Sequence, residues 1–88
     1  MVYVDALTPC LPNSHWPYNR SCHMFADTEE ELHRMAKTLG LKRAWYQYDG
    51  RLPHYDLTAG KRHIALTKGC IEVSRRFVGE RLREKANE

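Results

Sequence analysis

In the stretch Pro53-His54-Tyr55-Asp56-Leu57-Thr58-Ala59-Gly60-Lys61-Arg62, a histidine, a tyrosine and an aspartate run into a helix-starting threonine. Two cations then fall in the first turn of the helix that Thr58 starts. Arg75 and Arg76 repeat the pattern directly after Ser74. A cation at a helix N-terminus opposes the helix dipole, at about 0.3–1 kcal/mol at low salt. The chain follows the usual rule elsewhere, since Glu29, Glu30 and Glu31 open another expected helix. Free backbone N–H groups beside Lys or Arg make a site for phosphate or carboxylate. Lys61, Arg62, Arg75 and Arg76 are therefore expected to contact an anion. The competing reading is that these long side chains reach into water or pair with Asp56 or Glu72.

His54 and Tyr55 are expected to hydrogen-bond or stack on the same ligand, with His54 a candidate general acid or base. The alternative is a polar turn in which Asp56 or Thr58 bonds the backbone. Asp5 and Asp27 each follow an expected strand, and would hold ribose hydroxyls or orient the cations. As a pair they would instead bind Mg²⁺ in a phosphoesterase or nuclease site with His54. Asp27 also stands where it could serve as a cap beside Thr28. Trp45, Tyr46 and Tyr48 are expected in the core, and one of them facing the site would stack a purine. His15 and Trp16 lie in a loop and would form a lid, unless Trp16 is buried to pin that loop.

These residues need elements to place them. Val2–Val4 and Cys22–Ala26 read as strands. Between them Thr8–Ser21 is a loop of about 14 residues, long for a compact domain. It holds Pro9, Pro12 and Pro17, three of the four prolines. Thr28 with Glu31 forms a capping box, and Leu32, Met35, Ala36 and Leu39 make one apolar helical stripe ending at Gly40. His33 lies off the stripe and is expected exposed. Arg43–Tyr48 reads as an aromatic strand, followed by a turn at Asp49-Gly50. A second helix runs from Thr58 to Lys68, with Gly69 as its stop. Ile71–Val73 is the last strand, and Arg75 to Lys85 the last helix, with a small Val78/Leu82 stripe. The final residues, 86–88, are expected to fray. The alternation predicts a single α/β domain over residues 1–88, with a mostly parallel sheet of about four strands and three helices. In such a sheet, strand C-termini and helix N-termini gather at one edge. Asp5, Asp27, His54, Tyr55, Lys61, Arg62, Arg75 and Arg76 would then converge.

Composition sets the outer bounds. A chain of 88 residues buries only roughly 60–65% of its unfolded surface, so either its core is efficient or a ligand or second subunit helps to stabilise it. With 42% hydrophobic residues the chain is expected to fold. No apolar run reaches the roughly 20 residues of a membrane span, and the N-terminus lacks the pattern of a signal peptide. The expected location is the cytoplasm. A net charge of +3 is compatible with an anionic partner but weak for a dedicated duplex binder. The three cysteines, Cys10, Cys22 and Cys70, are odd in number and expected to be free. Cys10, His15, Cys22 and His23 are close in sequence, but without a CxxC pair their spacing disfavours a zinc site. Cys70 reads as a buried structural thiol.

Longer runs carry a resemblance. They are Val2-Tyr3-Val4-Asp5, Phe25-Ala26-Asp27-Thr28-Glu29-Glu30-Glu31-Leu32-His33, Leu39-Gly40-Leu41, Ala44-Trp45-Tyr46-Gln47, and Pro53 to Thr58 with Lys61-Arg62. With these the chain resembles a small bacterial and phage family, the domain of unknown function numbered 4031. The likeness extends to about Ser74-Arg75, is weaker in the early loop, and leaves out Cys10 and Cys22. It implies no activity. It implies a bacterial or phage setting, which suggests a phage anti-defence protein that sequesters a nucleotide immune signal.

The expectation is a homo-oligomeric binding module for a phosphorylated small molecule, a nucleotide above all, with no resident cofactor. One alternative is a Mg²⁺-dependent phosphoesterase or nuclease using Asp5, Asp27 and His54. The other is a nucleic-acid or protein-interaction module, with steep salt dependence on long polyanions.

Overall fold

The computed structural model describes residues 1–48 and 52–86. The turn expected at Asp49-Gly50 and the chain end at Asn87 and Glu88 lie outside the described residues. In chain order the elements are β1 (Val2–Val4), β2 (Thr8–Pro9), β3 (Arg20–Ala26), α1 (Glu29–Thr38), a 3₁₀ turn (Arg43–Trp45), β4 (Tyr55–Leu57), α2 (Ala59–Thr67), β5 (Ile71–Glu72) and α3 (Arg75–Ala86).

β3 is the centre of the sheet. Its apolar positions are flanked by β1 and β2 on one side and β4 on the other, all antiparallel to it. Only β5 runs parallel to its neighbour, β1. The sheet is thus mixed and mainly antiparallel, and this corrects the expected mostly parallel arrangement. The cause is local: β1 and β2 fold back on β3 as one long hairpin. Val4 pairs with Met24, Thr8 pairs with Ser21, and one extra residue on the first side makes a bulge between them. The hairpin takes up both ends of the expected Thr8–Ser21 loop. What remains is tied across its base by the Cys10 N–H donating to the Asn19 carbonyl at 2.9 Å.

Strand alternation sorts the side chains of β3. Cys22 and Met24 are buried on one face, under α1 and α2. Leu32, Ala36 and Leu39 of the expected stripe join them there, with Val4, Tyr55, Leu57, Ala65 and Cys70. The Thr28 hydroxyl accepts from the Glu31 N–H at 3.2 Å, as the capping pattern predicts. Glu31's carboxylate meets the Met1 amino group. Gly40 ends α1 at φ +77°, a conformation that L side chains rarely adopt.

The other face of the sheet is divided. α3 covers one half, because Phe77 stacks on Tyr3 at 5.0 Å and faces Phe25 at 6.2 Å. Arg81, one turn on, lies over both Tyr3 and Phe77. Phe77 and Arg81 thus make the aromatic seam of α3, beside the half-buried Val78 and Leu82 of the expected stripe. The rest of this face carries a row of polar side chains.

Two further expectations need correction. Arg43–Tyr48 is no strand: Arg43–Trp45 is a 3₁₀ turn, and Gln47 alone bridges His54. Trp45 and Tyr48 are exposed, and of the three aromatics only Tyr46 is half-buried. His33 is also half-buried, because its ring sits against Tyr46 at 4.5 Å and its Nδ1 lies 2.9 Å from the Tyr55 hydroxyl. No described helix is long and apolar enough to cross a membrane.

Candidate functional site

The polar row crosses the open half-face from β1 to β4. Register creates it. Asp5 follows β1, its N–H donates to the His23 carbonyl, and His23 pairs with Asp56 on β4. Residues opposite one another in a sheet share a face, so Asp5, His23 and Asp56 stand side by side. His54 stands two residues before Asp56 and therefore on the same face.

Each group is held. Asp5 accepts from the His23 backbone N–H at 2.6 Å with one oxygen, and its other oxygen lies 2.7 Å from His23 Nδ1. The His23 and His54 rings meet edge to face at 4.7 Å. His54 Nδ1 lies 2.8 Å from the Leu52 carbonyl, and its Nε2 is 3.5 Å from Asp56 Oδ1. Gln47 Nε2 donates to the other Asp56 oxygen. Burial pulls the His54 pKa down, but the bonds to Asp56 and the Leu52 carbonyl outweigh it and leave it raised. Burial pushes Asp56 up, and the bonds from His54 and Gln47 outweigh that and leave it lowered. Both shifts favour the charged pair.

Beside this row lies a cleft of about 690 Å³, within the size range of small-molecule sites. Trp16, Tyr18 and Trp45 give it aromatic walls, and Gln47, Asp56, Thr58 and Lys61 give it a polar floor. Asp56 and Gln47 belong to both row and cleft. The wall from the early loop is ordered by Asn13, whose side-chain oxygen accepts from the His15 and Trp16 N–H groups at 2.8 and 2.9 Å. Trp16 Nε1 donates to the Arg20 carbonyl at 3.1 Å. The exposed first turn of α2 opens at the floor, capped by the Thr58 hydroxyl accepting from the Lys61 N–H at 3.2 Å.

The expected site residues separate accordingly. Asp5 and His54 come together, and Asp56 joins them, while Arg62 reaches Asp5 only at its backbone carbonyl. Arg62 Nε donates to the Asp5 carbonyl at 2.9 Å, and its Nη2 pairs with Glu72 at 2.9 Å. Arg62 thus braces the end of β1, as the alternative pairing with Glu72 anticipated. Lys61 lines the cleft, but its Nζ donates to the Leu39 carbonyl at 2.6 Å and so caps the C-terminus of α1. Tyr55 is 1% exposed and lies in the core, so it cannot stack a ligand. Arg75 and Arg76 are exposed, and Arg76 pairs with Glu80.

Asp27 stands apart. β1 and β3 are antiparallel, so Asp27 is opposite Met1 while Asp5 is opposite His23. Four residue steps of roughly 3.3 Å part them by about 13 Å along the sheet. This rules out the expected Asp5/Asp27 metal pair. Asp27 instead accepts from the Tyr3 hydroxyl at 3.0 Å and from Arg81 at 2.9 Å.

His23 is the candidate site residue that sequence reasoning missed. Its one signal was its place in a strand between Cys22 and Met24, both apolar. The Cys10/His15/Cys22/His23 grouping does not form. Among the described residues one group of His, Cys, Asp or Glu side chains has metal-holding geometry, and it is His23, His54 and Asp56. Cys22 is buried, and desolvation above all pushes its thiol up to about 12, far from a thiolate. All three cysteines are free.

Compared with known families, the chain matches the one described as "Protein of unknown function (DUF4031)" over residues 2–85. No curated protein and no solved structure matches it.

Proposed function

Since the chain belongs to the DUF4031 family, whose description assigns no function, we propose from the site itself that it binds a small molecule with a planar ring and a phosphate. A nucleotide has both. The observation that carries this reading is the cleft with Trp16, Tyr18 and Trp45 above Thr58 and Lys61. A ring would stack on the exposed indole of Trp45, since such contacts accept any flat π-face. The phosphate would meet the exposed N–H groups that open α2, because the first turn of a helix leaves its donors without intrahelical partners. No residue of the cleft selects an immune signal over another nucleotide, so the anti-defence reading rests on the family resemblance alone. Three free cysteines favour a reducing compartment, and the cytoplasm is the proposed location.

One observation favours a second reading, hydrolysis of the bound phosphoester. Asp5 holds His23 through Nδ1 and leaves Nε2 for a proton, the arrangement of a general base. His23 replaces Asp27 in the expected trio.

Calorimetry with a panel of nucleotides tests binding. The reading predicts saturable binding of at least one of them, weakened tenfold or more in Trp16→Ala. A panel without heat or competition would overturn it. Product formation would decide for hydrolysis, and return of the ligand intact for a binding module. Light scattering with and without ligand shows whether a second subunit completes the cleft.

A further inference from the structure

We propose that His23, His54 and Asp56 form a binding site for a divalent transition-metal ion, of the two-histidine, one-carboxylate type. One ligand atom from each residue lies within 4.8 Å of the others. The hydrogen bonds around the group fix which atoms are free. A backbone carbonyl only accepts, so His54 Nδ1 donates to Leu52, and Nε2, which faces Asp56, is the atom that a metal ion would take in exchange for the proton shared there. A carboxylate at neutral pH also only accepts, so His23 Nδ1 donates to Asp5 and its Nε2 is open. Gln47 holds one oxygen of Asp56 and leaves the other beside His54 Nε2. All three candidate ligands are thus oriented by a second layer of oxygen acceptors or an amide donor. Metal-binding histidines and carboxylates are held in this way.

The distances are those of a site that would tighten around an ion. Ligands about 2.0–2.2 Å from a metal stand roughly 3–3.5 Å from one another. His54 and Asp56 are already 3.5 Å apart. His23 closes the remainder: its side chain is 46% exposed, which leaves room on the solvent side for the ring to adjust while Nδ1 stays on Asp5. Two imidazoles and a carboxylate suit Zn²⁺, Co²⁺, Ni²⁺ or Fe²⁺; Mg²⁺ prefers oxygen ligands throughout. Three protein ligands leave coordination positions for water or for an oxygen of a bound molecule. Asp5 is a positioning residue that acts through His23. The site does not depend on the nucleotide reading and is tested without any nucleotide.

The test is Co²⁺ titration of the purified, chelator-treated full chain, followed by visible absorption, then competition with Zn²⁺. One ion per chain is expected, with d–d bands that Zn²⁺ abolishes. His23→Ala should weaken binding tenfold or more with unchanged circular dichroism. Asp5→Asn should weaken it about 10–100-fold, as loss of an orienting carboxylate does. His63→Ala, on an exposed position of α2, should leave it unchanged. His54→Gln serves if His54→Ala fails to fold, and exposed His23 decides in either case. Equal Co²⁺ affinity in wild type and His23→Ala, or binding lost equally in His63→Ala, would overturn the proposal.

Discussion

Trp45 separates binding from folding. Half its side chain faces solvent, so Trp45→Ala should shift unfolding stability by no more than about 0.5 kcal/mol. Base stacking on one aromatic contributes about 1–3 kcal/mol, so ligand affinity should fall between about fivefold and a hundredfold. Calorimetry beside urea denaturation reads both. Lys61 should behave in the opposite way on stability. Lys61→Met removes the donor to the Leu39 carbonyl and should destabilise by about 0.5–1.5 kcal/mol in urea. At this scale the sequence was partly legible. His54, Asp5 and Arg62 stood out by type and position. Asp56 was visible as a turn former or a partner for the nearby cations. His23 was hidden because its partners, Asp5 and Asp56, are brought to it by strand pairing, which residue spacing does not reveal. The bracing contacts of Lys61 and Arg62 were hidden for a related reason: their acceptors, the Leu39 and Asp5 carbonyls, are distant in sequence.

Helix ends were the most legible elements, since a cap is a contact between near neighbours. Thr28, Thr58 and Ser74 each accept from the N–H three residues on, at 3.2 Å. Thr58→Ala should cost about 1 kcal/mol and loosen the first turn of α2 at the cleft floor. Thermal unfolding measures the first effect, and hydrogen exchange at Lys61 the second. The segment Arg43–Tyr48 was misread because aromatic residues favour strands only where a pleated neighbour receives them. Here Tyr46 finds its partners elsewhere: it stacks on His33 and Tyr55, and its hydroxyl donates to Glu29 at 2.7 Å. The chain turns tightly to bring it there, and Trp45 is left facing the cleft.

For the molecule as a whole, alternation of strands and helices gave the α/β class but not the strand directions. A hairpin and a crossover leave similar local patterns when the strands are two to seven residues long. The antiparallel β1–β3 pair carries Asp27 away from the site and makes it a clamp at the other end, joining β1, β3 and α3. Burial pushes the Asp27 pKa up, but bonds from Arg81, Tyr3 and the Met1 amino group outweigh it and hold the carboxyl below its usual range. A carboxyl lowered by folding stabilises fully above its unfolded pKa of about 3.9 and ceases to as pH falls through its folded value. Thermal unfolding from about pH 7 to pH 2 should therefore show a loss of stability below about pH 4. Asp27→Asn should be less stable at neutral pH and show a flatter acid limb, with nucleotide and Co²⁺ binding at the far end unaffected. The most direct measurement of the central claim is mass spectrometry of small molecules released on denaturing the purified chain, wild type beside Trp45→Ala. A ring-bearing phosphorylated molecule, near one per chain from wild type and depleted from the variant, is the predicted result. Equal release from both, or an empty wild type that takes up no nucleotide when supplied, would contradict the cleft as the binding site.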